Sequence, residues 1–107
     1  MTKVKLNKNS LKKLIQKDTS NIKSVVELLN KNEIKIIFII NSKNKLIGTI
    51  SDGDLRRGLL KGLTFSDKAQ NLMEKNYHFV YSNEDEEKAN EILNTNQINY
   101  LPILNKK

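Results

Sequence analysis

The amino-acid sequence predicts a mixed α/β (α+β) fold made of two tandem α-β-β-α units, the second of which stops short of its last strand and helix. Three observations predict it. Residues 27–41 lie without gaps on residues 91–105, an internal repeat with an offset of 64. In each copy, apolar residues at three- and four-residue spacing are followed by a short continuous apolar run, as when a helix leads into a strand. Only the first copy continues, through a polar turn and a second apolar run.

Seven of the fifteen aligned positions are identical: Glu27/Glu91, Leu29/Leu93, Asn30/Asn94, Asn32/Asn96, Ile34/Ile98, Ile39/Ile103 and Asn41/Asn105. The chain is rich in Asn, Ile and Lys, but composition alone rarely aligns apolar and polar positions together. Repeats come before motifs because they decide the architecture.

The elements follow in order. Residues 1–17 form a basic leader with a short helix. In the first unit, residues 18–63, Thr19, Ser20 or Asn21 can cap a helix by accepting from its free amides, and Ile22, Val25, Val26 and Leu29 form its buried face. The helix ends near Asn30 to Asn32. Ile36 to Ile40 is too short for a helix and apolar throughout, as expected of a strand covered on both sides. Ser42 to Lys45 is a hairpin turn and Leu46 to Ile50 a second strand. Asp52-Gly53-Asp54 then opens a helix carrying Leu55, Leu59 and Leu60 on one side, which Gly62 stops. Residues 64–81 connect the units through a helix from Ser66 to about Lys75 and an extended Tyr77 to Tyr81. In the second unit, residues 82–107, Asn83 and Glu86 have capping-box spacing, and Glu84, Asp85, Glu86 and Glu87 crowd the positive end of the helix dipole. Ala89, Ile92 and Leu93 supply its apolar face. The counterpart of residues 46–62 would lie beyond Lys107, so the chain reads as about one and two-thirds units.

Composition excludes several classes of function. The chain has 107 residues, 37% hydrophobic and 29% charged, and its longest apolar run is Ile36 to Ile40, far from the roughly 18 residues of a membrane span. Zero cysteines exclude disulfides and thiolate chemistry, and Met1 to Lys5 lacks the apolar stretch of a secretory signal, so a cytoplasmic protein is expected. The net charge of +7 is concentrated in Lys3, Lys5, Lys8, Lys12, Lys13 and Lys17, with a nearly neutral body. No aromatic residue is interleaved with these lysines to stack on bases, so nucleic acid is not an expected partner. His78 is the single histidine and cannot by itself build a metal site. No Walker-type loop, calcium loop or nucleophile motif is present, and catalysis by the chain itself is not expected.

Leu46-Ile47-Gly48-Thr49-Ile50-Ser51-Asp52-Gly53-Asp54, closing the second strand of an α-β-β-α repeat of this period, resembles the tandem cystathionine-β-synthase-type (CBS) domain. In that family an apolar-Gly-apolar-apolar strand is followed by Ser or Thr, two residues and Asp at the helix start, and Ser51 and Asp54 fill those places. The family's apolar-Pro-apolar-apolar strand is matched by Leu101-Pro102-Ile103-Leu104, whereas Ile37-Phe38-Ile39-Ile40 lacks the proline. The resemblance implies a cleft between repeats that binds an adenosine nucleotide such as AMP, ADP or ATP, with no cofactor required. The base would stack near Ile37 or Leu101 and Pro102, and the ribose would sit on Asp54. Homodimers are a further expectation.

The residues themselves support such chemistry. A strand running straight into a helix points the first helical amides off the sheet edge, where the dipole favours a phosphate. Gly48 permits close backbone approach, Ser51 offers a hydroxyl, and a carboxylate at Asp54 can accept both hydroxyls of a ribose. Arg56 and Arg57 can neutralise phosphate with a planar fork. The plainer reading is that Ser51 or Asp52 caps the helix, Asp54 favours its first turn, and the arginines are solvated. Asp-Gly-Asp-Leu-Arg-Arg is also similar to CBS pairs attached to bacterial sugar-nucleotide enzymes. A pair placed first in the chain points to a sugar-phosphate nucleotidyltransferase as the attached catalytic domain. The alternatives are a sugar-phosphate isomerase and a ligand-free oligomerisation module.

Overall fold

The computed structural model describes residues 4–6, 11–81, 86–95 and 100–104, and divides into two units: Leu14–Tyr77, and Met1–Lys13 together with His78–Lys107. The elements among the described residues are β1 (Val4–Leu6), β2 (Ile15–Lys17), α1 (Ile22–Lys31), β3 (Ile36–Ile40), β4 (Leu46–Ser51), α2 (Asp52–Leu60), a 3-10 turn (Ala69–Asn71), β5 (Val80–Tyr81), α3 (Glu86–Thr95) and β6 (Tyr100–Leu104). The mixed α/β class is as expected, with a β-α-β-β-α order over β2, α1, β3, β4 and α2.

In the unit Leu14–Tyr77 the sheet order is β2-β3-β4, with β2 parallel and β4 antiparallel to the central β3. Ile37, Phe38 and Ile39 are all buried, so β3 is covered on both faces as its unbroken apolar run requires. Ile37, Ile39 and Ile50 pack with Ile22, Val25 and Leu29 of α1 and with Ala69 and Leu72 of the segment after α2. The β3–β4 hairpin is held by Asn41, whose Oδ1 accepts from the Lys43 and Lys45 amides, with Asn44 at φ 62. Asparagine tolerates that left-handed conformation better than other side chains.

Helix α1 satisfies its ends locally. Asn21 is the N-cap, accepting from the Ser24 amide at 3.0 Å, and the Ile22 and Lys23 amides donate to the Asp67 and Phe65 carbonyls. At the other end Lys35 Nζ donates to the Leu29 and Asn32 carbonyls. The expected helix from Ser66 to Lys75 is replaced by the 3-10 turn Ala69–Asn71. The reason is where the backbone groups of this segment go: to the N-terminus of α1, to Ser20, and to β4, where Thr49 and Glu74 exchange two amide-carbonyl bonds.

In the second unit β6 is central in the order β1-β6-β5, parallel to both neighbours. Here the repeat is kept residue for residue: α1 and β3 shifted by 64 give the bounds of α3 and β6. The register is kept too, since Gln16 stands opposite Ile39 as Val80 stands opposite Ile103. β5 is shorter than β2 by one residue. Its first pair would have fallen on Pro102, which has no N–H to make the bond that Phe38 N donates to Leu14 O at 2.8 Å. β1 lies on the edge of β6 opposite β5, the place that β4 occupies beside β3.

Residues 1–17 therefore supply a strand to each unit, with Leu11 and Lys12 in a helical turn between them, where a basic leader was expected. The extended segment expected at Tyr77 to Tyr81 contains a strand only at Val80–Tyr81. On α2, Leu55 packs against the core, but Leu59 and Leu60 are 40% and 81% exposed, against the expectation that all three share a buried side. The face that packs runs through Leu55 and the buried Gly58, and Leu60, five residues after Leu55, falls on the other side of the helix. Ala89 and Leu93 of α3 are buried. The capping box expected at Asn83 and Glu86 lies outside the described residues.

Candidate functional site

Strand β4 passes into helix α2 without a loop, because Ser51 is both the last strand residue and the N-cap, in an extended conformation at φ −99, ψ 171. A full capping box closes there. Ser51 Oγ accepts from the Asp54 amide at 3.2 Å, and Asp54 Oδ2 accepts from the Ser51 amide at 2.9 Å and from Ser51 Oγ at 3.1 Å. This arrangement satisfies helix-start donors reciprocally. It also fixes the carboxylate, leaving Oδ1 directed away from the box.

Among the described residues, Oδ1 is held by one side chain. Arg57 Nη2 donates to it at 2.8 Å, an i,i+3 ion pair in which the Arg57 side chain is 65% and the Asp54 side chain 17% exposed. The guanidinium lies over Gly53, where a Cβ would stand 3.2 Å from Nη1 and 3.3 Å from Nη2, so the absence of a side chain there gives the arginine its path. Arg56 is exposed, and two residues from Asp54 on a helix it leaves on a different face. An ionised carboxylate can accept about four hydrogen bonds, and three are taken, so Oδ1 has room for one more donor but not for both hydroxyls of a vicinal diol while Arg57 rests on it.

The structure brings Ser51, Asp54 and Arg57 together and gives Ile37 and Gly48 packing partners of their own. The Ile37 side chain is fully buried in the core and has no surface to offer a base. Gly48 is indeed a place of close approach, but to Met73, whose Sδ and Cγ would stand 2.7 and 2.8 Å from a Cβ, and not to a ligand. Pro102 is buried in β6, in the other unit, and the side chain of Leu101 lies outside the described residues. The Asp54–Arg57 pair was not foreseen, although its i,i+3 spacing at a helix start was visible in Asp54-Leu55-Arg56-Arg57. Met73 carried no sequence signal, because its partner is a strand glycine 25 positions earlier. Among the described residues no group of three or more His, Cys, Asp or Glu side chains could hold a metal ion, and no helix is long and apolar enough to cross a membrane.

Comparison with known proteins agrees with the geometry. Residues 13–61 match the model of the CBS domain family. The chain is 29% identical over 91 residues to an uncharacterized protein of Rickettsia prowazekii, covering 85% of this chain and 28% of that one. It is 36% identical over 59 residues to an uncharacterized protein of Helicobacter pylori, covering 55% and 18%. The chain thus spans little more than a quarter, or less, of the curated relatives that it matches. Among solved structures it is similar to a Vibrio cholerae protein (TM-score 0.78, 19% identity, 99% of this chain and 73% of that one). It is also similar to a CBS domain protein of Pyrobaculum aerophilum complexed with AMP (TM-score 0.77, 19% identity, 87% and 72%). A third likeness is to CBSX2 in complex with AMP (TM-score 0.72, 22% identity, 85% and 72%). These likenesses show a shared fold.

Proposed function

We propose that the chain is a regulatory module that binds an adenosine nucleotide at the start of α2. The observation that carries this reading is the Ser51–Asp54 capping box with Arg57 beside it, a fixed carboxylate and a planar cation at the dipole end that favours phosphate. Two solved structures of the same fold are AMP complexes, which supports the same ligand class here. The ribose hydroxyls donate to Asp54 Oδ1, Ser51 contributes its hydroxyl, and the phosphate takes the first-turn amides and an arginine fork from Arg57, while Arg56, exposed on another face of α2, takes no part. Gly48 and Ile37 act behind the site as packing. Regulation follows if the nucleotide binds one conformation more tightly than another, since a ligand shifts an equilibrium only by its differential affinity.

The wider context is proposed on sequence grounds. Asp52-Gly-Asp-Leu-Arg-Arg57 supports a parent in sugar-nucleotide biosynthesis, a nucleotidyltransferase before an isomerase, acting in the cytoplasm as a homodimer, with the chemistry in an attached domain. The exposed Leu60 and Phe65 favour the second reading, a module that sets oligomeric state without a ligand. Calorimetric titration of AMP, ADP and ATP into the wild-type chain and Asp54→Asn separates the two. The amide variant keeps an acceptor for the Ser51 amide, so folding is retained while the charge at Oδ1 is lost. Submillimolar AMP binding that weakens at least about tenfold in Asp54→Asn is expected, the loss of a charge-assisted pair. Absence of binding at millimolar nucleotide would sink the proposal in favour of the ligand-free module.

A further inference from the structure

We infer that Arg57 is a specificity latch: resting on Asp54, it disfavours an unphosphorylated nucleoside and yields only to a ligand that brings its own phosphate. The inference rests on the nucleotide reading of the same site.

The geometry supplies the competition. Asp54 Oδ2 is committed to the Ser51 amide and hydroxyl, both inside the capping box that starts α2. A vicinal diol must therefore use Oδ1, and Oδ1 is the atom on which the Arg57 Nη2 rests at 2.8 Å. A nucleoside that takes Oδ1 displaces or crowds the guanidinium and gives it nothing in return. A nucleotide displaces it and offers phosphate oxygens, which a guanidinium binds by two parallel bonds. Gly53 provides the room for the exchange, because the arginine passes over a position without a side chain, at 3.2 to 3.3 Å from where a Cβ would stand. The latch is also weak enough to open. It is an exposed i,i+3 pair, of the kind that adds little to stability and is screened by salt.

Two opposite effects follow from one residue. Removing the side chain frees Oδ1, so adenosine binding improves by about twofold, the worth of an exposed helical ion pair. It also removes the fork that receives the phosphate, so AMP binding weakens roughly ten- to a hundredfold, as for other bonds to charged groups. The AMP-to-adenosine preference then collapses toward unity. Salt acts in the same two directions on the wild type, strengthening adenosine and weakening AMP as both ion pairs are screened.

The experiment titrates AMP and adenosine into the full chain as wild type, Arg57→Ala and Arg56→Ala, at low and high sodium chloride, with circular dichroism to confirm the fold. Arg57 is mostly exposed, so its truncation leaves the core intact. The expected result is a preference for AMP in wild type and Arg56→Ala that is lost in Arg57→Ala, with adenosine bound no more weakly than by wild type. An unchanged preference in Arg57→Ala, a parallel loss of both ligands, or a collapse in Arg56→Ala instead overturns the latch while leaving nucleotide binding in place. Failure of every protein to bind either ligand overturns the nucleotide reading and the latch together.

Discussion

Gly58 of α2 and Leu72 are packed so closely that a methyl group placed on Gly58 would overlap the Leu72 side chain. The contact lets α2 lie down on the segment that follows it, with Leu63 also within 3.2 Å of the same point. Glycine is a poor helix residue, costing roughly 1 kcal/mol against alanine, so its presence inside α2 needs a packing reason, and Leu72 is that reason.

Gly58→Ala is accordingly expected to destabilise the chain despite the gain in helix propensity. Overpacking costs about 1–3 kcal/mol and the helical gain returns at most about 1 kcal/mol, for a net loss of up to about 2 kcal/mol. Urea denaturation reads the change as a lower midpoint at constant slope. An increase in stability would show that Leu72 moves aside without cost.

The same logic applies with a softer neighbour at Gly48. There a methyl meets the Met73 Sδ and Cγ, which other rotamers of this flexible side chain can move aside, while the Met73 Cβ stays at a tight but tolerable 3.1 Å. Gly48→Ala is expected to cost about 1 kcal/mol, less than Gly58→Ala. In a double-mutant cycle with Met73→Ala the cost should largely vanish, giving a coupling on the order of 0.5–1 kcal/mol. Additive effects would mean that the two residues do not meet in solution.

These glycines also show what could be read from the sequence and what could not. Helix α1 and strand β3 were legible because each carries its own periodic signal, and the repeat carried those signals to α3 and β6. Strand β2 was not, because Ile15-Gln16-Lys17 is three residues of mixed character whose pairing is dictated by β3. The run after Ser66 misled for the converse reason: its local pattern suits a helix, yet Phe65 and Asp67 carbonyls are drawn off to cap α1 and Glu74 to pair with Thr49. At the site, Ser51 and Asp54 were visible as a motif of local spacing. The burial of Ile37 and the filling of the space beside Gly48 depend on partners distant in the chain and left no local trace.

The two helix caps allow structural and ligand roles to be told apart. Asn21 accepts from the Ser24 amide and hydroxyl at the start of α1, and Ser51 accepts from the Asp54 amide at the start of α2. Each is a side-chain cap whose loss to alanine costs about 1 kcal/mol. Asn21→Ala and Ser51→Ala should therefore lower the urea midpoint by similar amounts. Their effects on nucleotide affinity should differ, because the first-turn amides of α1 donate to Asp67 and Phe65 carbonyls, whereas Ser51 holds the carboxylate proposed as the ribose acceptor. Binding unchanged in Asn21→Ala and weakened several-fold in Ser51→Ala is the expected pattern under titration with AMP. Equal weakening in both would mean that affinity follows stability alone, and that the capping box at Ser51 plays no part in holding the ligand.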